Sequence, residues 1–159
     1  MFNIVLVSPQ IPQNTGSIGR MCVNANLNLH IIKPTVFDLS EKAVRRAGLD
    51  YWKDLKLKIW ESLDEFLRSN AKFEDRFFYA TTKTNKFYFD VKFKEGDFLF
   101  FGGESTGLPM KLMQRNFANA VTIPMGELGR SLNLATSVGI IAYEAIRQNI
   151  DKFELRNSL

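Results

Sequence analysis

Apolar residues in this chain come in short runs separated by polar stretches that carry glycine or proline, and the runs alternate between two periods. Phe2–Val7 is a continuous apolar run and predicts a buried strand. Ser8–Asn14 is polar, holds two prolines and predicts a loop. From Gly16 to Asn28, Ile18, Met21, Cys22 and Ala25 recur on one helical stripe. Leu29–Ile32 predicts a second strand closed by Pro34, and Ser40–Gly48 a helix started by Ser40 and stopped by Gly48. Leu57–Trp60 reads as a short strand. Ser62-Leu63-Asp64-Glu65 has the form of a capping box that opens a helix to about Asn70. Phe77–Thr81 and Phe98–Phe101 predict further strands, Pro109–Gln114 a short helix and Ala120–Ile123 the last strand. A final helix is expected from about Asn133 to Asn149, and the tail from Lys152 to Leu159 is expected to fray.

Strands that alternate with helices imply an α/β fold, a mostly parallel sheet with helices on both faces. The final helix aligns Leu134, Val138, Ile141, Ala142, Ala145 and Ile146 on one side. Ile140 and Tyr143 add apolar surface away from that stripe. Such a helix needs cover on two sides, either from a partner or from its own monomer.

At 159 residues the chain is expected to form one domain, 1–159, with a single substantial core. The net charge of +4 and a pI near 9.2 permit a polyanionic partner without demanding one. One cysteine excludes an intramolecular disulfide and any multi-cysteine metal site. The N-terminal MFNIVLVSPQ lacks the basic start and long apolar core of a signal peptide. No apolar run reaches the roughly 18 residues of a membrane span, so a cytoplasmic protein with no membrane contact is expected. Fourteen phenylalanines carry no functional signal by themselves.

Three segments hold the candidate chemistry. The first, Pro9-Gln10-Ile11-Pro12-Gln13-Asn14-Thr15-Gly16-Ser17-Ile18-Gly19-Arg20, follows a strand and opens a helix. Asn14 or Thr15 is placed to cap that helix, and free backbone N–H groups there suit a phosphate. Arg20 and Asn24 fall opposite the apolar stripe. An ordinary capped loop with an exposed arginine accounts for the same residues.

The second segment is Phe101-Gly102-Gly103-Glu104-Ser105-Thr106-Gly107-Leu108-Pro109. Paired glycines after a strand allow a ligand close to the backbone. Gly102 and Gly107 have P-loop spacing, but Leu108-Pro109 stands where that motif needs Lys and Ser or Thr. This disfavours a nucleotide hydrolase, and without GxGxxG a dinucleotide fold has no support. Glu104 repels phosphate and suits a neutral or cationic ligand.

The third segment is Ile123-Pro124 followed by a glycine-bearing loop and Arg130-Ser131-Leu132-Asn133. Ser131 and Asn133 serve equally as helix caps or as pocket walls with Ile123 and Leu132. Polar loops at strand ends are where open α/β sheets bind ligands.

His30, the only histidine, reads as structural, and Cys22 on the apolar stripe as buried and inert. No Ser-His-Asp set assembles, and metal catalysis lacks ligands. Lys42, Arg45 and Arg46 share one helical face, and with Lys53, Lys56 and Lys58 form the densest basic region. That face is either solvated or an RNA-backbone contact through Arg45 and Arg46.

Taken together, NIVLVSPQIPQNTGSIGR, LHIIKP, RRAGLDYW, FGGESTGLP and IPM with RSLNLATSVGIIAYEA resemble the SPOUT class of RNA methyltransferases. Within it they are most similar to the small TrmL/YibK tRNA (cytidine/uridine-2′-O-)-methyltransferases, over nearly the whole chain. The resemblance implies a C-terminal trefoil knot, which general connection rules would not predict. It implies S-adenosylmethionine as methyl donor without a metal, and the wobble nucleotide, C or modified U, of leucine tRNAs as substrate. It also implies a homodimer packed through the first and last helices. By motif, Ala80, Gly102, Ile123 and Ser131 would contact the cofactor, with Leu132 and Asn133 beside it. Arg20 would act in the catalytic step, and Asn14 and Glu104 would be further active-site positions. Ser17, Gly19, Gly103 and Ala80 depart from common family residues and bear on pocket shape. Rival readings are the same chemistry on ribosomal RNA and a non-catalytic RNA-binding module.

Overall fold

The computed structural model describes residues 1–40 and 50–154. Six strands form one sheet: β1 (Asn3–Val7), β2 (Asn28–Ile32), β3 (Lys56–Trp60), β4 (Phe77–Ala80), β5 (Phe98–Gly102) and β6 (Ala120–Val121). Their order is β3-β2-β1-β5-β4-β6, and every pairing is parallel. Four helices are described: α1 (Pro12–Asn24), α2 (Leu63–Ser69), α3 (Met110–Gln114) and α4 (Leu134–Gln148). The helix expected at Ser40–Gly48 falls, after Ser40, outside the described residues.

Strand β1 lies mid-sheet and is buried at all five positions, which is why its sequence is apolar without alternation. In register, Leu6 stands between Ile31 and Phe101. Successive side chains point to opposite faces. Ile4 and Leu6 join a core with Ile18 and Cys22 of α1 and with Val138, Ile141 and Ala142 of α4. Val5 and Val7 join another with Phe66 of α2 and with Leu112 and Met113 of α3. Helices therefore cover both faces, as the alternation implies.

Several boundaries differ from expectation. Helix α1 starts at Pro12, because proline at the first position gives up an N–H that has no helical partner anyway. It stops at Asn24: Asn26 adopts a left-handed φ of 50°, and Asn28 already pairs in β2. At α2, Ser62 accepts from the Glu65 N–H at 3.1 Å, while Glu65 reaches back to the N–H of Glu61 rather than of Ser62. Ile150–Lys152 forms a 3-10 turn and Phe153 packs on the core, while the rest of the tail expected to fray, from 155 on, lies outside the described residues.

Polar pins fix the end of the sheet where the strands begin. Arg76 donates to Asp97 through Nε at 2.7 Å and Nη2 at 2.6 Å, and Asp97 is only 1% exposed. The same carboxylate accepts the Lys94 N–H, and the Asp97 carbonyl accepts the N–H of Asn3. One residue thus ties the starts of β1, β4 and β5. Asp97→Ala would strand Arg76 without its partner. We expect it to lower stability by about 3 kcal/mol, read as a fall in the urea midpoint.

His30 is structural. Its Nδ1 accepts from Trp60 Nε1 at 3.1 Å, so the proton resides on Nε2, which faces Asn3 Oδ1 at 3.3 Å. Burial first, and Lys58 second, push its pKa from 6.5 down to about 4. In this window the unfolded chain binds a proton that the fold refuses. The His30 contribution to stability is therefore complete above the ordinary value and is lost as pH falls towards 4. Urea melts between pH 7 and about 5, above the carboxylate range, should show stability falling with pH. A His30→Gln variant should show a flatter profile over the same interval.

Candidate active site

All six strands point the same way, so their C-terminal ends share one edge of the sheet. Three chain segments meet at this edge. Ser8, just after β1, takes a left-handed φ of 51° and turns the chain off the sheet. The segment following β5 folds back on the strand end: the Gly107 N–H donates to the Gly103 carbonyl at 2.8 Å, with φ of +65° at Gly107. A Cβ on Gly102 would lie 2.0 Å from the Gly107 carbonyl carbon, so only glycine fits. The close approach anticipated at this pair is thus made by the chain itself.

Glu104 is carried by this fold across to the first segment. Its carboxylate accepts the N–H of Gln10 at 2.7 Å, the N–H of Ile11 at 3.0 Å and Asn14 Nδ2 at 3.0 Å. Gln10 returns the contact, its Oε1 accepting from the N–H and hydroxyl of Ser105, both at 2.8 Å. Asn14 Oδ1 in turn accepts from Asn133 Nδ2 at 2.9 Å. Asn133 caps α4 by accepting the Thr136 N–H at 3.2 Å. A continuous polar chain, Gln10–Glu104–Asn14–Asn133, therefore links the three segments.

These contacts correct two expectations. Neither Asn14 nor Thr15 caps α1: the N-cap is Ile11, which makes no side-chain cap bond, and both polar residues are buried inside the helix. The backbone donors that suited a phosphate are taken by Glu104, so the negative charge favoured at this helix start comes from the protein.

Between the segments lies a cleft of about 570 Å³. Ala80, Gly102, Ile123, Ser131, Leu132 and Asn133 all line it, as do Asn14 and Glu104. Arg20 does not. It is exposed on α1, whose Gly16–Gly19 side is covered by the turn Asp50–Asp54: Tyr51 donates to the Gly16 carbonyl, and Trp52 and Leu55 lie against Gly19. Arg45 and Arg46 fall outside the described residues. Cys22 is fully buried, and burial pushes its thiol up to about 12, in keeping with an inert role. Thr81, Thr82 and Lys83 also form part of the wall and were missed by sequence reasoning. The polar run T-T-K-T-N directly after an apolar strand was the available signal.

The model of the SpoU rRNA methylase family matches residues 1–143. The chain belongs to this family. A Listeria innocua protein provisionally named tRNA (cytidine(34)-2′-O)-methyltransferase is 45% identical over 149 residues, 92% of this chain and 87% of that one. The Saccharophagus degradans tRNA (cytidine(34)-2′-O)-methyltransferase is 43% identical, over 93% and 96% of the two chains. A solved structure concerned with 2-OH methylation of C/U34 on tRNA superposes with a TM-score of 0.87 at 40% identity, covering 95% of this chain and 97% of its own.

In this SpoU methylase Glu104 organises the site. Partial burial raises its pKa, but the donors from Asn14, Gln10 and Ile11 outweigh that and hold the carboxyl below its ordinary value. An ionised carboxylate already bound by three donors is a weak base and a strong local anchor. Its stabilising contribution is present above the usual glutamate range and is lost as pH falls through the lowered value. We expect Glu104→Gln to lower stability at neutral pH by about 1.5–3 kcal/mol and to remove that acid-side step. Denaturant melts as a function of pH will measure both.

Proposed function

We propose that this protein is an S-adenosylmethionine-dependent tRNA 2′-O-methyltransferase acting on the ribose of nucleotide 34, C or modified U, in leucine tRNAs. The observation that carries the proposal is the cleft itself, where all six cofactor positions implied by motif line one wall system closed by the Asn14–Glu104–Asn133 chain. Relatives between 40% and 45% identical bear names specific for cytidine 34 of tRNA, which favours tRNA over ribosomal RNA.

The cleft fits the cofactor. Its volume lies within the range of small-ligand sites. Ile123, Leu132 and Leu134 offer apolar surface, and Ser131 and Asn133 offer polar groups. Glu104, ionised at the lip, suits a sulfonium cation better than an anion. When bound, S-adenosylmethionine supplies an electrophilic methyl group for the ribose 2′-oxygen.

The residues do the rest by positioning and electrostatics. A guanidinium is a poor base, so the role of Arg20 is to stabilise negative charge developing on the 2′-oxygen rather than to remove its proton. Arg20 lies outside the cleft of its own chain, so in this reading it reaches the ribose from a second copy. Helix α1 exposes Ser17, Arg20 and Asn24, and α4 leaves Tyr143 50% exposed beside partly buried Ile140. These neighbouring helices form the dimer face. Arg45 and Arg46, with exposed Lys53, Lys56 and Lys58, hold the tRNA backbone. The single-domain organisation over 1–159 and the C-terminal knot belong to the same reading, as does a cytoplasmic site of action. No helix of the described residues is long and apolar enough to cross a membrane.

Labelled-donor methylation of total tRNA, followed by mapping of the modified nucleotide, tests the substrate; a mark elsewhere than position 34 overturns it. Arg20→Ala should slow single turnover about 10²–10³-fold while S-adenosylhomocysteine binding, read by calorimetry, changes little. Mixing Arg20→Ala with Asn133→Ala chains should partly restore activity, because mixed dimers regain one complete site. Near-normal turnover by Arg20→Ala alone would refute the assignment.

A further inference from the structure

Immediately beyond the cleft wall the chain runs Thr81-Thr82-Lys83-Thr84-Asn85-Lys86-Phe87-Tyr88-Phe89. Its start lines the cleft through Thr81, Thr82 and Lys83. Its end is held against the strand terminus after β6. The Thr122 N–H donates to the Lys86 carbonyl at 2.8 Å, and the Tyr88 N–H donates to the Thr122 carbonyl at 3.0 Å. Thr122 is itself a cleft residue, so the segment is a direct continuation of the wall. Phe87 bridges Thr122 in parallel, and the chain then enters a short 3-10 turn over Tyr88–Asp90. Tyr88 turns inward onto the core, while Phe87 and Phe89 are 37% and 47% exposed. Their rings stand 5.2 Å apart at an interplanar angle of 33°. Lys86 is fixed by donating to the Ala118 carbonyl, and Lys83 is exposed at the rim.

Single exposed apolar residues need no explanation, but two phenylalanine rings in contact and both exposed, one on a bridge residue and one on the 3-10 turn that follows, form a defined surface. Lys83 and Lys86 flank the start of the segment, and Asp90 is the one acid between Thr81 and Val91. Aromatic faces within a basic rim are the chemistry that takes unstacked bases of single-stranded nucleic acid. We propose that Phe87 and Phe89 form a stacking platform for an RNA base neighbouring the target nucleotide, positioning the ribose over the cleft. This inference rests on the RNA-methylating reading of the cleft. The charge around the platform and its continuity with the cleft favour an RNA base as occupant over a second copy of this chain.

The test uses the full-length protein and an RNA hairpin whose single-stranded loop carries 2-aminopurine beside the target nucleotide. Wild-type protein should quench the probe as the base stacks. The variant Phe87→Leu with Phe89→Leu keeps the apolar bulk and loses the ring faces. It should bind the hairpin about ten- to a hundredfold more weakly, with the quench reduced. The salt dependence of binding should stay unchanged, because no cation is removed. S-adenosylhomocysteine binding should be preserved, which also reports an intact fold. Wild-type affinity and quench in the variant would overturn the platform. Conversion of a wild-type dimer to monomer by light scattering would also overturn it, reassigning the face to an interface between copies. Failure of the methylation reading is seen separately, as wild-type protein that neither binds S-adenosylhomocysteine nor modifies tRNA.

Discussion

The arrangement of this protein turns on one carboxylate. Glu104 sits on a loop after β5 and receives two backbone N–H groups and one side-chain amide from a segment 90 to 94 positions earlier. Charge-assisted bonds of this kind are shorter and stronger than neutral ones. Because the same Asn14 side chain also accepts from Asn133, the orientation of α1, the β5 loop and the start of α4 are settled together. In the observed rotamer Asn14 serves both partners at once, and the cleft lies between the three segments that this chain of contacts joins.

The two ends of the sheet follow opposite rules. Where the strands begin, polar groups are consumed by structure: Asp97 is saturated by Arg76 and Lys94, and Asn3 spends its side chain on Asn28, His30 and the Gly96 carbonyl. Where the strands end, polar side chains stand at the cleft surface, and Ser131, Leu132 and Asn133 are all exposed. A parallel sheet makes this division natural, because every strand delivers its following loop to the same edge.

The aromatic residues divide in a similar way. Phe66 stands at the centre of one face, with edge contacts to Trp60, Phe98 and Phe100 at 5.1 to 5.9 Å. Those rings pack together, Trp60 also donates to His30, and the burial they provide is the larger cause of the lowered pKa of His30. Phe87 and Phe89 belong to no such cluster and face outward. Composition could not separate the two groups, since both are built largely of phenylalanine.

Much of the fold was legible in the chain because local patterns recorded it. Continuous apolar runs gave buried parallel strands, and the stripe Ile18, Cys22, Ala25 gave the buried face of α1. Motif resemblance gathered the cleft residues before their positions were known, and the cleft holds all except Arg20. What the chain alone did not decide was the partner of each polar group. Asn14 and Thr15 look like caps because capping is a local signal, yet the donors at that helix start are taken by a residue remote in sequence. The glycines at 102 and 107 look like room for a ligand, yet the space is filled by their own loop. Sequence determined which segments are strands, helices and polar loops, because those depend on neighbours within a few residues. Tertiary structure decided which loop satisfies which, because a hydrogen bond depends on proximity in space and the sheet order brings together residues the sequence holds far apart.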